Sequence, residues 1–169
     1  MLRFDSTEWQ GVDGLAEELI LELRPAADRA MWAGGMRFQA ELKKTLTGKR
    51  SGRSYVKPAS AANLKQKRRK NPTRYTASAP GEPPASPTGN LRNSLGFSRP
   101  VWRGGTLVME VGSGLGVGGD GKKNPAYARR LEFGGADRRG IMIEARPYMA
   151  PTALRMEPIL DSLFRKIIE

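Results

Sequence analysis

The chain has 169 residues, with 29 basic and 17 acidic side chains, a net charge of +12, and neither cysteine nor histidine. This length suits one domain and hardly two. The two missing residue types exclude disulfides, thiol nucleophiles, His-dependent triads and the usual zinc and haem sites.

A hydrophobic content of 38%, beside 20 glycines and 12 prolines, points to a lean core with long irregular segments. No run approaches the ~20 apolar residues of a membrane helix, so no membrane partner is expected. The opening Met1-Leu2-Arg3-Phe4-Asp5-Ser6 lacks the apolar stretch of a secretory signal.

Residues 11–23 read as a helix, with Leu15, Leu19 and Leu23 on one stripe and Glu17, Glu18 and Glu22 mostly off it as a solvated face. Arg24-Pro25 interrupts the pattern. Pro25 suits a first helical position, so a second helix restarts or kinks there. Over 25–46, Ala27, Met31, Phe38, Leu42 and Leu46 share a face. Gly34-Gly35 in its middle costs about 1 kcal/mol per glycine relative to Ala. The pair points to close approach of another backbone, or to a weak helix.

The charge is concentrated next. Residues 1–42 carry a net −4, whereas 43–81 hold twelve basic residues and no acid: Lys43, Lys44, Lys49, Arg50, Arg53, Lys57, Lys65, Lys67, Arg68, Arg69, Lys70 and Arg74. Like charges at this density repel, so the segment needs an anionic partner, an acidic protein surface or solvation. Gly48, Gly52, Pro58 and Pro72 prevent a long helix here. Short strands fit Arg53–Val56 and Arg74–Ala77, around Tyr55 and Tyr75. Residues 47–90 thus read as an extended basic arm or hairpin within a single 1–169 domain, closed by the Pro-rich stretch 80–87.

From residue 91 the pattern changes to strands. Thr106–Val111 alternates, with Leu107, Met109 and Val111 on one face, as in a half-buried antiparallel strand. A Gly-rich loop follows over 112–121, then a short helix near 126–133, another strand near 138–145, and a last helix after Arg146-Pro147. Ile159, Leu160, Leu163, Phe164 and Ile167 form the last helix's stripe, with Pro158 starting or kinking it. The expected fold class is α+β: N-terminal helices and a C-terminal helix on a small antiparallel sheet, with a long basic arm.

Two motifs imitate nucleotide sites. Gly114-Leu115-Gly116-Val117-Gly118-Gly119 matches the dinucleotide fingerprint, yet Asp120-Gly121 and Asn124-Pro125 follow where a helix must open. Gly116–Lys123 has the spacing of a phosphate loop, but Lys123 stands where Ser or Thr would hold magnesium. The carboxylates form no working pair: Glu132, between Leu131 and Phe133, is a lone acid. The expectation is no catalysis, no metal and no cofactor.

Three blocks carry a resemblance. They are Ala79-Pro80-Gly81-Glu82-Pro83-Pro84-Ala85-Ser86-Pro87-Thr88-Gly89-Asn90-Leu91-Arg92-Asn93-Ser94-Leu95, then Tyr127-Ala128-Arg129-Arg130-Leu131-Glu132-Phe133-Gly134-Gly135, then Ala145-Arg146-Pro147-Tyr148-Met149-Ala150-Pro151-Thr152-Ala153-Leu154. In this order and spacing the chain resembles, over about residues 37–169, the neck or tail-completion proteins of long-tailed double-stranded-DNA phages, the gene-product-ten-like family. Gly135 stands where that family usually has Thr, and Thr152 intervenes before Ala153.

The resemblance implies a structural virion protein at the head–tail junction, assembled in the host cytoplasm into a ring of copies of itself, expected to be a hexamer. Its implied neighbours are a head-side connector or stopper protein and a tail terminator or tail tube protein; the charge of the basic arm, placed near a channel, adds an expected non-specific contact to genomic DNA. The motif positions carried over as interface are Pro80, Gly81, Pro83, Pro84, Thr88, Gly89, Leu91, Arg92, Ser94, Tyr127, Glu132, Phe133, Gly134, Arg146, Pro147 and Tyr148. Composition alone supports an alternative. The 43–74 arm, with Lys65-Gln66-Lys67-Arg68-Arg69-Lys70 and two tyrosines able to stack on bases, would make a small nucleic-acid-binding protein.

Overall fold

A computed structural model describes residues 10–56, 74–103, 105–117, 127–136 and 139–167. Its axis is α1 (Gln10–Thr45), 36 residues and so about 54 Å long. Helix continues through Pro25, and the two expected N-terminal helices are one. Proline leaves the carbonyl four residues back without its donor, and that carbonyl belongs to Leu21, which is exposed, as is Pro25. Water can therefore replace the lost bond. Leu15 lies outside the described side chains, but Leu19, Leu21 and Leu23 are exposed, whereas Leu42 and Leu46 at the other end are buried.

The strands form four antiparallel two-stranded ribbons among the described residues: β1 (Ser54–Val56) with β2 (Arg74–Thr76), β3 (Leu95–Phe97) with β6 (Val111–Ser113), β4 (Val101–Arg103) with β5 (Thr106–Val108), and β7 (Gly135–Ala136) with β8 (Met142–Ile143). The second and third are one long hairpin broken by a bulge. Phe97 pairs with Val111 and Val101 with Val108, so Arg99 and Pro100 stand opposite Met109 alone. Pro100, lacking an amide, occupies the place where the ladder is interrupted.

This hairpin lies on α1. Trp102 Nε1 donates to Asp28 Oδ1 (3.1 Å), and the Arg24 guanidinium sits over the Trp102 ring, 5.2 Å from its centroid. Gln39 Nε2 donates to the Leu95 carbonyl (2.8 Å). The helical glycine pair admits side chains and not another backbone. A Cβ on Gly35 would come within 2.7 Å of Met109 Cε and 3.0 Å of Phe97 Cδ2, and one on Gly34 within 2.9 Å of Leu160 Cδ2. Trp32 meets the Phe97 ring edge-on at 5.3 Å.

The short helices α2 (Asn90–Ser94) and α3 (Ala128–Phe133) and the final helix α4 (Met149–Arg165) complete the α+β body. Its core is Leu42, Leu46, Leu91, Leu95, Ala128 and Tyr148, with Phe38, Val111, Leu131 and Met149 packed against it. Thr152 and Met156, one turn apart, are the buried residues of α4. Buried Thr152 joins Thr45 through their hydroxyls (3.2 Å), and Arg155 Nη2 donates to both. The expected stripe Leu160, Leu163, Phe164 and Ile167 is only half-buried and Ile159 is exposed. Pro158 sits inside α4, and the carbonyl it deprives belongs to exposed Leu154.

Candidate functional site

The second and third sequence blocks meet at one carboxylate. A helix leaves its first amides without intrahelical partners. At the start of α4 these belong to Tyr148, Met149 and Ala150, and all three donate to buried Glu132: Tyr148 N and Met149 N to Oε2 (2.8 and 3.0 Å), Ala150 N to Oε1 (2.9 Å). The next residue is Pro151, which has no amide to satisfy. The orphan donors are therefore fully accounted for, and the negative charge lies at the positive end of the helix dipole.

Glu132 is aimed by its own backbone. Arg146 N donates to the Leu131 carbonyl (2.6 Å), and α3 ends when Gly134 N donates to the Arg130 carbonyl (2.8 Å). Gly134 adopts φ 73, ψ −166, a conformation open essentially to glycine alone. A Cβ there would stand 3.0 Å from the Ile143 carbonyl oxygen. Beside this corner, burial, reinforced by the Glu132 and Tyr127 charges, pushes the Tyr148 phenol up to about 12. Burial also raises Tyr127.

The first block is tied by a second carboxylate, Glu82. Ala79-Pro80-Gly81-Glu82 forms a tight turn closed by Glu82 N donating to the Ala79 carbonyl (3.2 Å), with Gly81 at φ +77 following Pro80, as a type II turn requires. The turn returns the Glu82 carboxylate to Ala79 N (2.9 Å), Ser51 N (3.1 Å) and Ser51 Oγ (2.6 Å). These hydrogen bonds, with a smaller contribution from the Arg50 charge, hold the Glu82 carboxyl below its ordinary value. Arg50 is bound in turn: Nη2 donates to the Thr45 carbonyl at the end of α1 (2.7 Å) and to the Pro84 carbonyl (3.3 Å), Nη1 to the Lys49 carbonyl (2.9 Å). Burial lowers the Arg50 guanidinium, against the opposing effect of Glu82.

In sequence Glu132 is a motif position and a lone acid unfit for paired acid/base work, and Glu82 is one residue of the first block. The Glu132 donors lie 16 to 18 residues away and the Ser51 donors of Glu82 lie 31 away, so no local pattern announces them; Ala79, three residues from Glu82, is the one local donor among these. Of the remaining motif positions, Leu91, Ser94 and Pro84 are buried, Pro83, Arg92, Arg146 and Pro147 are half-buried, and Pro80 and Thr88 are exposed. Gly89 caps α2 at φ 77, and Ser94 shares a hydroxyl contact with Ser113.

Among the basic positions, Lys49, Arg53 and Arg74 are exposed and flank the β1–β2 ribbon. Tyr55 and Tyr75 pair across it with ring centroids 5.9 Å apart. Lys57, Lys65, Lys67, Arg68, Arg69 and Lys70 lie outside the described residues. So do Gly118 and Gly119 of the first nucleotide-like motif and residues 118–123 of the second. The described part of that loop turns back, with Val117 and Phe97 exchanging backbone hydrogen bonds (3.0 and 3.1 Å).

What the Glu132 corner presents to solvent is apolar. A groove of about 470 Å³ lies beside it, lined by Phe38, Ala128, Phe133, Met149 and Ala153 among others. A second of about 480 Å³ adjoins it through shared Phe38 and Ala153 and runs on to Leu154 and Leu160. Phe133 is 76% exposed and Leu154 71%, and Met142 on β8 is 73% exposed. Among the described residues no cluster of acidic side chains could hold a metal ion, and no helix is long and apolar enough to cross a membrane. No family model, curated protein or solved structure matches the chain.

Proposed function

We propose that this chain is a structural virion protein, a neck or tail-completion component at the head–tail junction of a long-tailed double-stranded-DNA phage. It acts by fitting against copies of itself in a ring, and against the head-side connector and the tail, without a bond-making step. The observation that carries the reading is the apolar groove along α1 and α4 with Phe133 and Leu154 standing exposed at it. Contiguous exposed apolar surface of this kind marks an interaction site. The two-stranded ribbons add support, since among the described residues most strands are paired on one side only and offer an edge to a neighbouring chain, β3 excepted where Phe97 also bonds Val117. Blocks two and three, which carry the family resemblance, build the groove's wall through Glu132 and α4.

Native mass measurement of the purified protein, with electron microscopy of assembled particles, tests the reading. A closed ring and a position at the tail's head-proximal end are expected. A protein that stays monomeric and is absent from particles ends it.

A second reading, nucleic-acid binding through the basic arm, is favoured by one observation: the Tyr55–Tyr75 pair, flanked by Arg53 and Arg74, on the ribbon that leads into the basic segment. It requires that log affinity for DNA fall with log salt at a slope of about −0.9 per phosphate neutralised. It also requires that Gln substitution of Lys65, Lys67, Arg68, Arg69 and Lys70 abolish binding. Binding indifferent to those substitutions removes it.

A further inference from the structure

We infer that the cleft at the root of the β1–β2 ribbon is a binding site for a phosphate-type oxyanion. The cleft, about 530 Å³, lies between the end of α1, β2 and the Pro-rich segment that leads to α2. Three cations line it, Lys49, Arg50 and Arg92, and no Asp or Glu does among its described lining residues.

The donors are arranged in advance. Arg50 is clamped by three backbone carbonyls through Nη1 and Nη2, while its Nε is buried without a hydrogen-bond partner. Ser86 Oγ, on the same cleft, is also buried and unpartnered. A buried donor left unmade is costly. Both residues line the cationic cleft, but the two atoms themselves are shut off from solvent, so an anion would take up these donors only by displacing the side chains around them. The nearby carboxylate that acts on Arg50, Glu82, is engaged with Ser51 and Ala79. No hydrogen bond or ion pair among the described residues occupies the Lys49 ammonium or the Arg92 guanidinium.

The free Lys49 ammonium and Arg92 guanidinium on one wall-bounded space, with Arg50 and Ser86 also lining it, match a multiply charged acceptor better than a carboxylate. Tyr75 on the wall leaves room for a phosphate carried on a larger molecule. The shared chemistry is the phosphate group, whether as the free ion or within a nucleic-acid backbone. The inference does not depend on the ring reading, because a protein that forms no ring keeps the same cleft.

The test is titration of the full chain at low salt with inorganic phosphate, followed by backbone amide shifts. Saturable shifts confined to residues 48–50, 75–76 and 85–92 are expected. Lys49→Gln combined with Arg92→Gln avoids the structural tie of Arg50 and should weaken phosphate binding about tenfold or more, each charge-assisted contact being worth roughly that factor. Ser86→Ala should weaken it less, and Arg103→Gln, on exposed β4, should leave it unchanged. Shifts that do not saturate, that spread over all basic residues, or that fall equally with Arg103→Gln overturn the site.

A second arm uses a short single-stranded thymidine oligonucleotide. If the Lys49/Arg92 double variant weakens it as much as it weakens phosphate, the site is supported with a nucleic-acid backbone as its source. If only phosphate binding falls, the site is supported with the free ion as its ligand.

Discussion

Two carboxylates hold this molecule together, and they do the same job in different surroundings. Glu132 collects three amides at the start of α4 while buried. Glu82 collects two amides and a hydroxyl at the neck of the basic ribbon while half-exposed. In the first case water has no ready access to the donors if the acid is lost. In the second it does. The difference teaches that the acids of the sequence blocks are backbone ties and that burial decides what each is worth: the Glu132 corner fixes the body, and the Glu82 corner fixes where the ribbon leaves it.

The sharpest break of this comparison is Glu132→Ala. It strands three donors at a helix end and should cost about 3 kcal/mol, a fall in Tm of roughly 10 °C in a chain of this size. Glu132→Gln keeps one acceptor oxygen and should lose about half of that. Calorimetry of the two variants checks the order. Gly134→Ala comes next, at about 2 kcal/mol, since it forces a side chain into a glycine-only conformation against the Ile143 carbonyl. A Gly134→Ala protein as stable as the parent would show that α3 does not need this geometry to aim Glu132.

Much of the fold was legible because its signals are local. The tyrosine-bearing strands emerged as β1 and β2, the short helix as α3, and the apolar repeat after Arg146-Pro147 as α4. The prolines were harder. Pro25 reads as a restart or kink and Pro158 as a start or kink, and helix runs through both, because whether a deprived carbonyl can reach water is decided by tertiary exposure. Leucine spacing gave the same signal at both ends of α1, but only Leu42 and Leu46 find a core, whereas Leu19 and Leu23 stay exposed. Periodicity reports an apolar face without reporting what covers it. The site was least legible: Glu132 finds all its donors, and Glu82 two of its three, far along the chain, and a lone acid in sequence carries no sign of a helix end waiting for it.

The buried corner also has an alkaline signature. The Tyr148 phenol is raised from 10.0 to about 12, so the folded state holds that proton more tightly than the unfolded chain does. The stabilisation is complete below the unfolded value near 10 and is lost as pH rises toward 12. Phenolate absorbance should show Tyr148 among the last tyrosines to ionise. Tyr148→Phe should flatten the fall in Tm over that window, and Glu132→Gln should shift Tyr148 partway back by removing one of the charges that raises it. A Tyr148 that ionises with the exposed tyrosines would mean that the corner is wetter than its packing implies.

The smallest effect belongs to the half-exposed carboxylate, and its sign is opposite. The Glu82 carboxyl lies below its ordinary value, chiefly through its hydrogen bond from Ser51. The unfolded chain therefore binds the proton first as pH falls. Glu82 contributes fully above the ordinary carboxyl range and loses its contribution as pH drops through its lower folded value. Glu82→Gln should thus lower Tm at neutral pH by less than Glu132→Gln does, and the gap between Glu82→Gln and parent should close in acid. Because Ser51 and Ala79 border the ribbon, the same substitution should speed amide exchange at Gly52 and Ala77, which bond across its base, while leaving the α4 amides of Met149 and Ala150 protected. If α4 loosened as well, the two corners would be one cooperative unit and not two ties of unequal worth.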